Sequence, residues 1–280
     1  MQNLSQLVIP LLDLSSRAGA LIRSHYQAAG PGDFQAKADD SPLTLADTES
    51  HALLQAGLRA LDSSLPVLSE ESSLEELVGR RDWQRYWLVD PLDGTREFLA
   101  GTGEFTINIA LIDNHRPVLG LLFLPLEEVG YLGIPGQAAR RYQRDAGRWA
   151  STDLRVRALE SGRELAVLAS RRHSSATLDG CMEWLRDRWG PVARLNSGSA
   201  LKFCQLARGD GDFYPRFSPC CEWDTAAGQA VLEAAGGSLL GLDGQPLRYN
   251  CRDTLYSPHF LAIADPRHFL WNELFAARLF

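Results

Sequence analysis

At roughly 150 residues per domain, a chain of 280 residues holds either one large domain or two packed halves. With 45% hydrophobic and 22% charged residues it has the balance of an ordinary globular protein, which excludes collagen-like, coiled-coil and disordered classes. A surplus of 35 acidic over 28 basic residues, net −7, argues against a general grip on nucleic acid polymers; any anionic ligand needs a local solution, such as a metal or a helix N-terminus. The five cysteines (Cys181, Cys204, Cys220, Cys221 and Cys251) show neither a Cys-x-x-Cys pair nor histidines at zinc spacing, which points to a reducing, cytoplasmic setting.

Leu4, Leu7, Val8, Leu11, Leu12 and Leu14 begin a helical apolar pattern over residues 3–27, interrupted by Asp13 and Arg17 and lacking a basic leader. That argues against a signal peptide or a transmembrane segment and leaves open peripheral contact with the cytoplasmic face of an inner membrane. The polar segment that follows, with Lys37, Asp39, Asp40, Ser41 and Thr44, reads as a flap or site wall before a second helix, Ala46 to Leu61. Short apolar runs at Leu65–Ser69 and Tyr86–Val89 read as strands ending in Glu70 and Asp90, and further strands are expected at 105–112, 118–123, 128–132 and 138–143. The boundary between the halves, 1–155 and 156–280, is placed near residues 150–160. Beyond it, strands at 165–169, 192–195 and 212–214 alternate with helices at 178–189, 199–208 and 224–235, before an LAIA strand and an aromatic-rich helix.

The segment WLVDPLDGTREFL places Asp90 at a strand end, Asp93 in a proline-containing turn, and Gly94 and Thr95 at a helix start. Asp and Gly also dominate plain turns, so this spacing alone is compatible with simple capping. Two carboxylates in one tight turn repel unless a cation lies between them, and oxygen ligands without nearby His or Cys favour a hard ion such as Mg²⁺. Glu70 and Asp224, each at another predicted element end, make four acidic groups that could converge.

The segments LSEES (68–72), DPLDGTREF (90–98) and EWDTAAG (222–228), with KADDSPLTLAD (37–47), resemble the inositol monophosphatase superfamily of Mg²⁺-dependent, lithium-sensitive phosphatases, and the likeness extends over essentially the whole chain. FLAGTGEFTINIALI, LASRRH and GSALKFCQLARGDGDFYPRF are similar to its 3′(2′),5′-bisphosphate nucleotidase branch. The resemblance implies an α+β fold, a layered αβαβα sandwich like that of fructose-1,6-bisphosphatase. It implies hydrolysis of adenosine 3′,5′-bisphosphate to AMP, and of its sulfated form, in sulfate assimilation. It also implies two Mg²⁺ ions, with a third, weaker one near Glu70: one on Glu70, Asp90 and the Leu92 carbonyl, another on Asp90, Asp93 and Asp224. Thr95 then orients the attacking water and passes its proton to Asp47 or Glu70, with Asp47 ranked first. Gly94 and Thr95 hold the scissile phosphate; Ser199, Lys202 and Arg216 contact the rest of the substrate, and Ser170 and His173 border the nucleoside.

PCCEWD departs from the pattern at Cys220 and Cys221, which read as plain thiols. An inositol or fructose bisphosphate phosphatase using the same metals is the nearest alternative, a non-catalytic phosphometabolite sensor the alternative of another class. Monomer and homodimer both stay open.

Overall fold

The computed structural model describes residues 3–28, 35–36, 42–171 and 175–279. A 3-10 turn, Leu4–Leu7, leads into α1 (Val8–Ala28); β1 (Gln35–Ala36) and β2 (Pro42–Leu43) pair antiparallel, and α2 (Leu45–Leu61) follows. A first sheet takes β3 (Val67–Ser69) and β4 (Arg85–Asp93), then, after the short α3 (Thr95–Leu99), β5 (Thr106–Asp113), β6 (Arg116–Leu124), β7 (Val129–Ile134), β8 (Ala138–Asp145) and β9 (Arg148–Leu154). These seven strands lie in sequence order, parallel at β3/β4 and antiparallel elsewhere. Next come β10 (Leu165–Ser170), α4 (Ala176–Trp189), β11 (Val192–Ser197), α5 (Leu201–Arg208), β12 (Phe213–Arg216), α6 (Ala226–Ala234), β13 (Ser238–Gly241), β14 (Phe260–Ile263) and α7 (Phe269–Ala276). Their strands form a second sheet in the order β11-β10-β12-β14-β13, parallel from β11 to β12.

Alternation along the strands sorts the apolar residues into layers, because successive side chains leave opposite faces of a sheet. In β5, Ile107, Ile109 and Leu111 join Leu11, Leu12, Ile22 and Leu54 of α1 and α2, whereas Ala110 and Ile112 join Phe203 of α5 and Val231 of α6. The outer face of the second sheet, through Val167, Phe213 and Ile263, packs on Leu185 of α4 and Trp271 of α7. The result is α1/α2, sheet, α5/α6, sheet, α4/α7, the αβαβα sandwich expected. No helix of the described residues is long and apolar enough to cross a membrane.

Four local expectations need correction. Asp93 is not in a free turn: β4 runs through Pro91 to Asp93, with the register against β5 shifting between Asp90 and Asp93. Asp224 does not begin a helix but closes a 3-10 turn, Glu222–Asp224, ahead of α6. The helix expected from Ser199 starts instead at Leu201, with Ala200 as its N-cap. Finally, β9 and β13 were not anticipated. RWASTDL in β9 is exposed at most positions on a sheet edge and carries no apolar alternation to reveal it.

Helix α6 lies so close to the first sheet that side chains would intrude. A Cβ on Gly120 would stand 2.4 Å from the Ala227 carbonyl oxygen, and one on Gly133 would stand 2.5 Å from Val231 Cα. Backbone cannot yield as a flexible side chain does, so Gly120→Ala is expected to cost about 1–3 kcal/mol by overpacking. Thermal unfolding should show a Tm several degrees lower; an unchanged Tm would mean that α6 is not seated on Gly120.

Candidate active site

The β4 end is shaped by short hydrogen bonds. Asp90 is 1% exposed, and its Oδ1 accepts the Leu92 amide at 3.0 Å. Ser50 Oγ donates to the Pro91 carbonyl at 3.0 Å, fixing the shifted strand against α2. Gly94 has φ +97°, and a Cβ there would meet the Glu104 carbonyl oxygen at 3.0 Å, so only glycine permits the exit from β4 into α3. Thr95 Oγ1 lies 3.2 Å from Asp47 Oδ1 and 3.3 Å from the Leu92 carbonyl oxygen. The other Asp47 oxygen accepts the Thr44 amide at 2.8 Å and the Thr44 hydroxyl at 2.5 Å. Thr44 is therefore the buried N-cap of α2 and not part of a flap; Lys37 and Asp39 lie outside the described residues.

Asp93 ties the site to the second sheet. Its Oδ2 accepts Ser199 Oγ and the Ala200 amide, both at 2.7 Å, and Asn108 Nδ2 at 3.3 Å. Ser199 holds a left-handed φ of +49°, and its hydroxyl also lies 2.9 Å from Thr106 Oγ1. The preceding Gly198 amide donates to Glu104 Oε2 at 2.7 Å, and Arg171 forms a two-point ion pair with the same carboxylate. Below this turn Lys202, 1% exposed, donates from Nζ to the Ser197 and Ser199 carbonyls at 3.0 and 2.6 Å and stands 5.1 Å from the Tyr214 ring centre. Asp224 Oδ2 accepts the Cys221 amide at 2.9 Å.

Asp90, Asp93 and Asp224 each offer a carboxylate oxygen within 4.8 Å of the others. Of the predicted site residues in the described chain, all except Asp47 line one open cleft of about 320 Å³: the three aspartates, Glu70, Leu92, Gly94, Thr95, Ser170, Ser199, Lys202 and Arg216. Glu70 stands outside the close triad but is near enough to repel Asp90 and Asp224. Arg216 donates to the Pro219 carbonyl at 2.9 Å. His173 lies outside the described residues. Glu104, Thr106 and Asn108, which orient the Ser199 turn and Asp93, escaped the sequence reading. Thr106 and Asn108 did leave a signal, as polar residues two apart on one face of an otherwise apolar strand.

A model of the inositol monophosphatase family matches residues 3–272. The chain belongs to this family. A protein of Escherichia coli K12 described as 3′(2′),5′-bisphosphate nucleotidase CysQ is 42% identical over 247 residues, covering 88% of this chain and 95% of that protein. A Buchnera aphidicola protein of the same description is 34% identical over 241 residues, 86% of each chain. The crystal structure of CysQ from Bacteroides thetaiotaomicron superposes with a TM-score of 0.79 at 35% identity, over 95% of this chain and 100% of that one. An inositol monophosphatase structure from Anabaena shares the fold, with a TM-score of 0.71 at 23% identity over 99% and 96% of the two chains.

In this member of the family the acidic cluster is only partly compensated: the Arg216 charge opposes the rise of Asp224 but makes no ion pair with it. Among the described residues no Lys, Arg or His lies within 4.0 Å of the Asp90, Asp93 or Asp224 carboxylates. Burial, then repulsion from Glu70, Asp93 and Asp224, holds the Asp90 carboxyl well above the ordinary carboxylate range. Burial, then repulsion from Asp93 and Glu70, pushes Asp224 up to about 8. An all-oxygen donor set that resists ionisation fits a hard divalent cation, which supplies the missing positive charge.

Between the ordinary value of 3.8 and about 8, Asp224 keeps a proton in the metal-free folded chain that the unfolded chain has lost. The folded state then binds more protons, so metal-free stability falls as pH rises through that window. Mg²⁺ should therefore raise Tm more at about pH 8 than at about pH 5.5, relative to EDTA, and Asp224→Asn should flatten the difference; equal Mg²⁺ shifts at both pH values would contradict it. Ser199→Ala, by releasing Asp93, should weaken Mg²⁺ binding roughly tenfold in a direct titration. A raised KM with unchanged Mg²⁺ affinity would instead mean that the hydroxyl serves the substrate alone.

Proposed function

We propose that the chain is a Mg²⁺-dependent phosphomonoesterase that removes the 3′-phosphate of adenosine 3′,5′-bisphosphate, giving AMP and inorganic phosphate, and acts likewise on the sulfated form. The observation that carries this reading is the triad Asp90, Asp93 and Asp224, without an ion-pair partner among the described residues, in a cleft that also holds Lys202 and Arg216; the similarity to bisphosphate nucleotidases supports the choice of substrate. Residues 1–155 and 156–280 act as two halves, neither sufficient alone.

Glu70, Asp90, Asp93, Asp224 and the Leu92 carbonyl would hold two Mg²⁺ ions, with room for a third near Glu70. When bound, these ions supply Lewis-acid charge neutralisation for the phosphate and lower the pKa of water. The protein supplies position and proton handling. The Gly94 and Thr95 amides receive the scissile phosphate. Thr95 Oγ1, 3.2 Å from Asp47 Oδ1, orients the attacking water and relays its proton to Asp47. Burial first, and then the neighbouring Arg216 charge, lower the Lys202 ammonium to about 8, which leaves it mostly charged at neutral pH and able to face the second phosphate beside Arg216. Ser170 and His173 border the nucleoside.

Phosphate release should be measured with and without Mg²⁺ on adenosine 3′,5′-bisphosphate, its sulfated form, inositol phosphate and fructose 1,6-bisphosphate. The nucleotide should have the highest kcat/KM, and EDTA should abolish turnover. Asp90→Asn, Asp93→Asn and Asp224→Asn should each lower kcat about a thousandfold, and Thr95→Ala about a hundredfold. Faster turnover of a sugar phosphate would overturn the substrate assignment; unchanged turnover in the three folded Asn variants would overturn the site.

A further inference from the structure

We propose that Tyr256 is the wall against which the substrate's base stacks, and so a residue by which the cleft selects a nucleoside bisphosphate over an aliphatic sugar phosphate. The proposal rests on the reading of the cleft as a bisphosphate nucleotidase site and adds the element that recognises the base.

Five aromatic side chains line the cleft: Phe203, Tyr214, Trp223, Tyr256 and Phe260. Three are already committed to one another, with ring centres 5.5 Å apart for Phe203 and Tyr214, 5.3 Å for Tyr214 and Phe260, and 6.0 Å for Phe203 and Phe260. Trp223 is half-buried and packs against the central core. Tyr256 differs in being 55% exposed, and its side chain makes no hydrogen bond or ring contact to a described residue. Among the described residues it is the most exposed aromatic of the cleft.

The exposed ring is held on a fixed backbone. Tyr256 pairs with Cys221 across an antiparallel bridge, the Glu222 amide donates to the Leu255 carbonyl at 2.8 Å, and the Ser257 amide donates to the Cys220 carbonyl at 2.8 Å. Arg252 Nη2 spans the same two segments, donating to the Tyr256 carbonyl at 3.2 Å and to the buried Glu222 carboxylate at 2.7 Å. The Cys221 amide in turn holds Asp224 at 2.9 Å. The backbone that carries the ring is thus set relative to a proposed metal-ligand carboxylate, which puts a base stacked on the ring within reach of a substrate whose phosphate sits at the acidic cluster. Carboxylates, Lys202 and Arg216 serve the charged ends of the substrate; an aromatic face is what the heterocycle needs, and a tyrosine offers a large one at low conformational cost.

The test compares adenosine 3′,5′-bisphosphate with the abasic 1-deoxyribose 3,5-bisphosphate, using Mg²⁺-loaded wild type, Tyr256→Ala and Tyr256→Phe. Wild type should prefer the nucleotide, and Tyr256→Ala should reduce the ratio of the two kcat/KM values about tenfold, chiefly through KM for the nucleotide. Tyr256→Phe should keep the wild-type ratio, because the ring and not the hydroxyl makes the contact. An unchanged ratio in Tyr256→Ala, an equal loss on both substrates, or a loss in Tyr256→Phe as large as in Tyr256→Ala overturns the proposal. Equal use of both substrates by wild type overturns it while leaving the phosphatase reading intact; no phosphate release from either overturns that reading, and this proposal with it.

Discussion

Mutual repulsion among Asp90, Asp93 and Asp224 is the constraint around which the molecule is built. Two unit charges about 4 Å apart repel by about 4 kcal/mol at an effective dielectric of about 20, so three carboxylates with oxygens inside 4.8 Å ionise together only beside a cation and need a scaffold that holds them in place. The scaffold meets that demand from two directions. Strand β4, clamped between β3 and β5, delivers Asp90 and Asp93, and the turn before α6 delivers Asp224. Because α6 is seated on Gly120 and Gly133 of the first sheet, the layer that carries Asp224 is locked against the layer that carries the other two.

Within this arrangement the two oxygens of one carboxylate take separate work. Asp93 Oδ2 is filled by Ser199, Ala200 and Asn108, which leaves Oδ1 for a cation. Asp47 follows the same logic, with Oδ2 spent on the Thr44 cap and Oδ1 beside Thr95. Each group is oriented by neighbours, Ser199 and Ala200 in the cleft wall and Asn108 and Thr44 behind it, so its rotamer is set before any ligand arrives. Lys202 extends this support: with two of its ammonium protons on the Ser197 and Ser199 carbonyls, it braces the strained turn that holds Asp93 while also lining the cleft.

What could be read in advance divides along the range of the interactions. The helices α1, α2 and α4 follow from apolar periodicity, which is written locally, whereas the layered fold is legible only through the resemblance that the motifs carry. DPLDGT is equally local, since Gly94 and its carboxylate neighbours lie within five residues. Pairing across the chain was not legible in the same way. Nothing near Ser199 in sequence says that its hydroxyl faces Asp93, 106 positions away, and a serine before a helix reads first as a cap. Edge strand β9 is hard to read because its mostly exposed residues carry no apolar alternation, and β13 because its four residues, SLLG, are too few to display one. EWDTAAG reads as a helix beginning at Asp224, whereas the Asp224 and Thr225 amides donate to the Cys221 and Glu222 carbonyls and close a 3-10 turn first.

The net charge of −7 also takes on a local meaning. An anion entering the cleft meets two opposed fields, that of Glu70 and the three aspartates and that of Lys202 and Arg216. Once Asp90 and Asp224 ionise without a compensating cation, four carboxylates outnumber two basic groups, and the low-dielectric setting strengthens their repulsion of a phosphate. The basic pair alone cannot hold a doubly phosphorylated ligand against that field. Dependence on a divalent cation is therefore a property of binding as well as of bond cleavage, and it follows from where this acidic chain places its few buried cations.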